Sequence, residues 1–298
     1  MINSTGIADS SLAAVVLAAL ELAPAEPSDI SALLDDARTR DAIARLDALR
    51  GAPALLDYLV AQLDVGRIEH WRKVLDRLER DDVAVPVLTG DPRYPRLLAE
   101  CWDRPPLLFM RGLDLQQDQP VLAMVGSRVA GKDTLRSSRD TARGAAAAGA
   151  TVVSGLAAGV DTQAHTGALD AGRTVAVLGT GIRHVFPEEN GELLGAIERS
   201  GTVISQFAPD APRTGTTFLR RNSVIAGMAD VSLVMDGRLR SGSRHQAEQA
   251  VRYERQVLLW QPALMHERWA VELAGANANV RFVDDVEEVL STVLSLRA

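Results

Sequence analysis

Val121-Leu-Ala-Met-Val-Gly-Ser-Arg128 and Thr151-Val-Val-Ser-Gly-Leu-Ala-Ala-Gly-Val-Asp161 decide the fold of this chain. Each stretch is an apolar run that ends directly in a turn of glycine and serine. The residues between the two turns favour a helix. Strand, turn, helix, strand and turn make a βαβ unit, whose turns place backbone N–H groups at one edge of a parallel sheet. The pattern therefore predicts an anion-binding edge.

Apolar runs and helical patterns alternate from residue 121 onward. Strands are predicted at 121–125, 151–153, 174–178, 202–205, 231–235 and 257–260, and helices at about 133–148, 161–171, 189–199, 218–228, 243–253 and 284–295. This alternation is typical of an α/β protein with a mostly parallel, doubly wound sheet. Residues 1–82 carry only helical patterns. We therefore predict a small all-helical N-terminal module at 1–82 and an α/β domain at 83–298.

Composition and charge exclude several classes of protein. The 298 residues contain no run of about 18 apolar residues, so no membrane span is predicted. The N-terminus lacks the pattern of a secretory signal. The only cysteine, Cys101, excludes an internal disulfide and favours a reducing cytoplasm. The five histidines show no metal-ligand spacing, so neither a metal nor a cofactor is predicted.

Charge is unevenly distributed along the chain. The net charge is −7, which argues against a broadly basic nucleic-acid coat. Residues 213–255 nevertheless hold eight arginines against four acidic residues. The sequence is therefore compatible with a local basic surface on an acidic protein, and a polyanion responds to the local potential.

The first glycine turn nearly matches the phosphate loop of ATPases. Gly126-Ser-Arg-Val-Ala-Gly-Lys132 has the spacing, but the hydroxyl residue that should hold Mg²⁺ is replaced by Asp133. We therefore predict no ATPase activity through this loop. Asp161 and His165 lie one helical turn apart, and we interpret them as a helix cap and a packed side chain. No catalytic residue is predicted.

Small residues follow several predicted strands at the same edge, so we expect one shared anion site. Arginine can hold phosphate bidentately and asparagine can read a base or sugar. Phe186, in an exposed turn with proline, is the best candidate for stacking on a base. The predicted binding residues are Gly126, Ser127, Arg128, Ser154, Gly155, Gly179, Gly181, Phe186, Arg221, Asn222, Ser241, Gly242 and Ser243.

Taken in order, these motifs resemble the DNA-processing protein A (DprA/Smf) family. The resemblance is carried by Gly126-Ser-Arg128, Val153-Ser-Gly-Leu-Ala-Ala-Gly-Val-Asp161, Ala176-Val-Leu-Gly-Thr-Gly181, Arg221-Asn222 and Ser241-Gly-Ser243, within roughly residues 87–290. It implies an extended Rossmann-like fold that binds single-stranded DNA, forms a homodimer and helps to load a RecA-type recombinase in natural transformation, without known catalysis. DNA contact is implied for Ser127, Arg128, Ser154, Gly155, Asn190, Arg221 and Asn222.

Several residues depart from the family pattern. Glu188 stands where members usually carry a basic residue, and Ser223 replaces a second arginine. Gln206 replaces a glutamate, and Gln261-Pro262 replaces a Pro-Gly pair. The chain ends at Ala298, so the C-terminal winged-helix module of many members is not expected. A carboxylate at position 188 should weaken phosphate binding.

These departures keep a second class of function open. A nucleotide-derivative sensor or nucleotide-processing enzyme could use the same fold, with Glu248, six residues after Gly242, as its candidate catalytic residue. A ligand shorter than a DNA strand would suit the loss of a cation at position 188. An interaction protein with a decayed site is a third hypothesis. Binding of an oligonucleotide, of a mononucleotide or of neither distinguishes the three.

Overall fold

The computed structural model describes residues 4–22, 26–47, 49, 51 and 53–297. The other positions, which include the first three residues of the predicted helical module and Ala298, lie outside the described residues. Contacts divide the chain into two compact units. The first comprises Met1–Tyr94 and Ala99–Arg111, and the second comprises Pro95–Leu98 and Gly112–Ala298.

The first unit contains the predicted N-terminal helices and an antiparallel hairpin. Its elements are α1 (Ser4–Ala19), α2 (Pro27–Asp35), α3 (Ala37–Arg45), α4 (Ala54–Gln62), α5 (Val65–Arg80), β1 (Val85–Leu88) and β2 (Leu107–Gly112). A short helix, α6 (Arg96–Ala99), lies between the two strands in sequence. α5 shows the expected amphipathic pattern, since Trp71, Leu75 and Leu78 are buried at helical spacing.

The second unit is built on seven parallel strands. They are β3 (Val121–Val125), β4 (Thr151–Ser154), β5 (Thr174–Val177), β6 (Thr202–Ser205), β7 (Val231–Val234), β8 (Gln256–Trp260) and β9 (Val280–Val283). Their order in the sheet is β6-β5-β4-β3-β7-β8-β9. The chain therefore moves outward on one side of β3 and then on the other side. The order reverses between β3 and β7, and open α/β sheets bind ligands at the carboxyl ends of such a strand pair.

Helices follow these strands along the chain. They are α7 (Lys132–Ala147), α8 (Val160–Leu169), α9 (Gly191–Ser200), α10 (Gly215–Met228), α11 (Gly242–Arg252), α12 (Gln261–Leu264), α13 (Arg268–Ala276) and α14 (Val286–Leu294). β4 to β7 are buried at every position, as expected of strands covered on both faces. The Rossmann-like, mostly parallel α/β fold is thus confirmed. Of the helices that the structure describes, none is both long and apolar enough to cross a membrane.

Candidate functional site

An open cleft of about 520 Å³ lies at the carboxyl ends of β3 and β7, where the strand order reverses. Four segments line it: the turn after β3, the first half of α10, the loop that leads from β7 into α11, and the segment with Ala157 and Asp161 that leads from β4 into α8. From the predicted set the cleft gathers Gly126, Ser127, Arg128, Arg221, Asn222, Ser241, Gly242 and Ser243. The other predicted residues lie behind or beside it.

The turn after β3 presents a cation at the mouth of the cleft. A Cβ at Gly126 would overlap the side chain of Val160, so glycine is needed where the turn passes the start of α8. The hydroxyl of Ser127 accepts the N–H of Val129 at 3.1 Å, which holds the turn in shape. Arg128 is exposed, and within the described residues it has no carboxylate partner. Its charge is therefore available to a ligand.

The second glycine turn uses its donors inside the protein. Oδ2 of Asp161 accepts the N–H groups of Gly155 at 3.2 Å and Ala157 at 3.3 Å. The hydroxyl of Ser154 donates to the carbonyl of Met124 at 2.7 Å. Asp161 is the first-turn carboxylate of α8, where a negative charge is favoured by the helix dipole. Ala157 and Asp161 line the cleft, but the N–H groups of Gly155 and Ala157 are already bonded to this carboxylate.

His165 supports the same loop as a neutral side chain. Its Nε2 accepts the N–H of Leu156 at 3.3 Å, and its Nδ1 lies 2.7 Å from the hydroxyl of Thr174. That hydroxyl donates to the carbonyl of Val152, so Nδ1 must carry the proton. Burial, together with the Arg221 charge, lowers the pKa of His165 to about 3. Asn190 is also buried here and donates to the carbonyl of Leu156 at 2.8 Å.

Arg221 forms part of the cleft floor. Its Nη1 donates to the carbonyl of Val177 at 3.1 Å and lies 4.0 Å from Oδ2 of Asp161. A Cβ at Gly155 would overlap this Nη1, so only glycine at this position leaves space for the guanidinium. Burial lowers the pKa of Arg221 and raises the pKa of Asp161, and each charge opposes the shift of the other. Nε of Arg221 is buried without a hydrogen-bond partner among the described atoms.

The N-terminus of α11 closes the opposite side of the cleft. The hydroxyl of Ser241 caps the helix by accepting the N–H of Arg244 at 3.2 Å. The N–H groups of Gly242 and Ser243 belong to the first helical turn, where no intrahelical acceptor exists. Nδ2 of Asn222 donates to the carbonyl of Gly242 at 3.0 Å and so ties α10 to this turn. The partial positive charge of the helix terminus therefore faces the cleft.

Phe218 joins the aromatic and cationic side chains, and sequence reasoning missed this role. The guanidinium carbons of Arg128 and Arg221 lie 5.5 Å and 5.4 Å from its ring centroid. Phe186 meets the ring edge-on, with centroids 5.9 Å apart. A Cβ at Gly179 would come within 3.2 Å of the same ring. The sequence signal was only an aromatic residue near a helix start, because Arg128, Gly179 and Phe186 are far from Phe218 along the chain.

The remaining residues of interest lie outside the cleft. The N–H of Gly181 donates to the carbonyl of Ala211 at 2.9 Å, so this glycine packs against the loop after β6. Glu188 is exposed. Glu248 is paired with Arg244 at 2.7 Å, which leaves it a poor candidate for acid catalysis. Across the described part of the chain, no group of three or more His, Cys, Asp or Glu residues could hold a metal ion.

Comparisons with a family model, with curated proteins and with solved structures all match the same family. The family model for DNA recombination-mediator protein A matches residues 86–293. Protein Smf from Synechocystis is 37% identical over 172 residues, which cover 56% of this chain and 43% of that protein. The chain spans about half the length of the curated relatives it matches.

Two solved structures share the fold. DNA processing protein A from Streptococcus pneumoniae superposes with a TM-score of 0.67 at 27% identity, covering 96% of this chain and 95% of that one. DNA processing protein A from Helicobacter pylori, known for a unique single-stranded DNA binding mode, gives a TM-score of 0.61 at 24% identity and covers 67% of this chain and 93% of that one.

Proposed function

The chain belongs to the DNA recombination-mediator protein A family, and we propose that it binds single-stranded DNA by its phosphate backbone at the cleft beside β3 and β7. The observation that carries this proposal is the convergence of Arg128, Arg221 and the N-terminus of α11 on one cleft. Guanidinium groups and helix N-termini are the groups that hold phosphate. The Helicobacter pylori protein, which has this fold, binds single-stranded DNA, so the fold is compatible with such a ligand.

We infer that the strand is recognised without strong sequence preference. The amide nitrogen of Asn222, predicted to read a base or sugar, is already bonded to the carbonyl of Gly242. The apolar part of the cleft lining, Phe218, Leu219 and Val129, offers contact rather than hydrogen bonds. Phosphate contacts position a strand but carry no sequence information directly.

We propose a binding role and no catalysis at this cleft. Asp161 and His165 are both engaged in holding the loop after β4.

The family resemblance extends the proposal to a homodimer that delivers the strand to a RecA-type recombinase during DNA recombination. Mass photometry tests the dimer, and co-sedimentation of the protein with a purified recombinase on a single strand tests the partner.

Fluorescence anisotropy with a labelled single-stranded oligonucleotide tests the proposal. Binding should weaken steeply between about 50 and 200 mM salt, because phosphate neutralisation releases counterions. Arg128→Ala should lose most of the binding. Arg199→Ala removes an equal charge from the end of α9, at the opposite edge of the sheet, and should bind as the wild type does. Absence of binding at low salt contradicts the proposal.

A nucleotide-derivative sensor is the second candidate, favoured by one observation. Glu188 is exposed at the same sheet edge, and its carboxylate repels a long polyanion more than a short one. A thermal-shift series with mononucleotides and oligonucleotides separates the candidates. Stabilisation by a mononucleotide, with none by an oligonucleotide, supports the sensor.

A further inference from the structure

A second exposed arginine lies beside the cleft, stacked on an aromatic ring. The guanidinium carbon of Arg213 is 4.2 Å from the ring centroid of Phe186. Phe186 in turn meets Phe218 edge-on, and Phe218 lines the cleft. Arg213, Phe186 and Phe218 thus make a continuous row of contacts that leads from the cleft to the loop after β6.

The donors of Arg213 are available. In the part of the chain that the structure describes, its guanidinium has no hydrogen bond and no ion pair. Its neighbour Arg183 differs, because it pairs with Asp210 at 3.2 Å. A guanidinium that lies on an aromatic ring keeps its N–H edge free for a phosphate, and the ring restrains its orientation. Arg213 is therefore both oriented and without a counter-ion.

The local charge explains why a cation is needed at this place. Glu188, Glu189 and Glu192 lie two, three and six residues after Phe186, and all three are exposed. These three carboxylates, in the turn before α9 and in its first turn, repel a passing phosphate backbone. Arg213, from the loop after β6, lies over the ring of Phe186 and places a positive charge beside these carboxylates.

We propose that Arg213 is a second backbone contact of the bound strand, holding a phosphate outside the cleft with Phe186 as its platform. This inference rests on the proposed function and deepens it, because it specifies the direction in which the bound strand leaves the cleft. From Arg128 the strand passes over Phe218 to Arg213 and the loop after β6, away from the acidic start of α9. One face of Phe186 is then covered by Arg213 and is not the stacking face for a base.

The salt dependence of oligonucleotide binding tests the inference. Each phosphate contact on a single strand contributes about 0.7 to the slope of log K against log salt. Arg213→Ala should reduce that slope by about 0.7 and weaken binding about fivefold at low salt. Arg213→Lys should retain the slope, because the charge remains. Phe186→Leu should retain the slope and weaken binding less, because only the platform is lost.

Arg199→Ala, at the far end of α9, is the matched control for the loss of one positive charge and should keep the wild-type slope. In the Arg213→Ala background, Glu188→Lys should restore the slope by returning a cation to the same turn. If Arg128→Ala lowers the slope and Arg213→Ala does not, the inference is overturned while the proposed function stands. If the wild type does not bind, both fail.

Discussion

Gly155 is the residue that the cleft floor depends on most directly. A side chain at this position would start where Nη1 of Arg221 lies. Gly155→Ala should therefore push the guanidinium away from Asp161 and lower the free energy of unfolding by about 1–3 kcal/mol, the usual cost of overpacking. Oligonucleotide affinity should fall in parallel, because Arg221 leaves the floor. Urea denaturation and anisotropy measure the two effects.

Gly191→Ala is the matched control for Gly155→Ala. Gly191 begins α9, and a Cβ there would meet no atom within 4 Å. Because alanine favours a helix over glycine, the free energy of unfolding should stay the same or rise slightly. Equal stability of the two variants would show that Arg221 does not need the space beside Gly155.

His165 makes the stability of the protein depend on pH. Its pKa is about 3 in the native state against 6.5 for the unperturbed group, so between these values only the unfolded chain binds the proton. The free energy of unfolding should then fall as the pH falls from about 6.5, by up to about 1.4 kcal/mol per unit. The raised pKa of Asp161 acts in the opposite direction. A urea series at several pH values measures the sum of the two effects.

His165→Gln isolates the histidine contribution. The Gln side chain can accept the N–H of Leu156 but does not titrate. The difference in unfolding free energy between wild type and variant should shrink as the pH falls from about 6.5 towards 3. A difference that is constant over this range would mean that His165 titrates normally in the native protein.

At the scale of elements, the cap of α11 should serve both stability and binding. Ser241→Ala removes the side-chain acceptor for the N–H of Arg244 and should lower the free energy of unfolding by about 1 kcal/mol. It should also weaken oligonucleotide binding, because the first turn of α11 faces the cleft. Asp285→Ala removes the equivalent cap of α14 and should reduce stability alone. If both variants bind like the wild type, the α11 terminus does not touch the ligand.

The strands and turns that build the cleft were predictable from the sequence, but the hydrogen-bond partners of the turn N–H groups were not. Short apolar runs ending in glycine marked β3 and β4 because such strands are buried on both faces. The same pattern could not show that Asp161 takes the N–H groups of Gly155 and Ala157. That bond depends on the path of the loop. β9 was missed because Val280–Val283 is an edge strand with its two middle residues only half buried.

At the scale of the whole molecule, charge is separated along the chain. Residues 1–82 hold 15 acidic and 9 basic residues, whereas residues 83–298 hold 24 and 23. Residues 83–298 are therefore nearly neutral as a group, and the arginines of the cleft are offset by acidic residues elsewhere in that range. A protein of this kind gains little from general attraction to a polyanion, because its average field is repulsive. Binding must come from the local geometry of the cleft.

This charge distribution predicts that a flexible single strand competes far better than other polyanions. The apolar walls at Phe218, Leu219 and Val129 limit what can reach the cleft floor, and a rigid duplex presents its phosphates on too broad a surface. In competition anisotropy at about 100 mM salt, unlabelled single strand should displace the probe at a concentration at least about tenfold lower than duplex DNA or heparin. Arg128→Ala should remove that preference together with the binding. Heparin that competes as well as the single strand would mean a diffuse basic surface, which a net charge of −7 does not otherwise support.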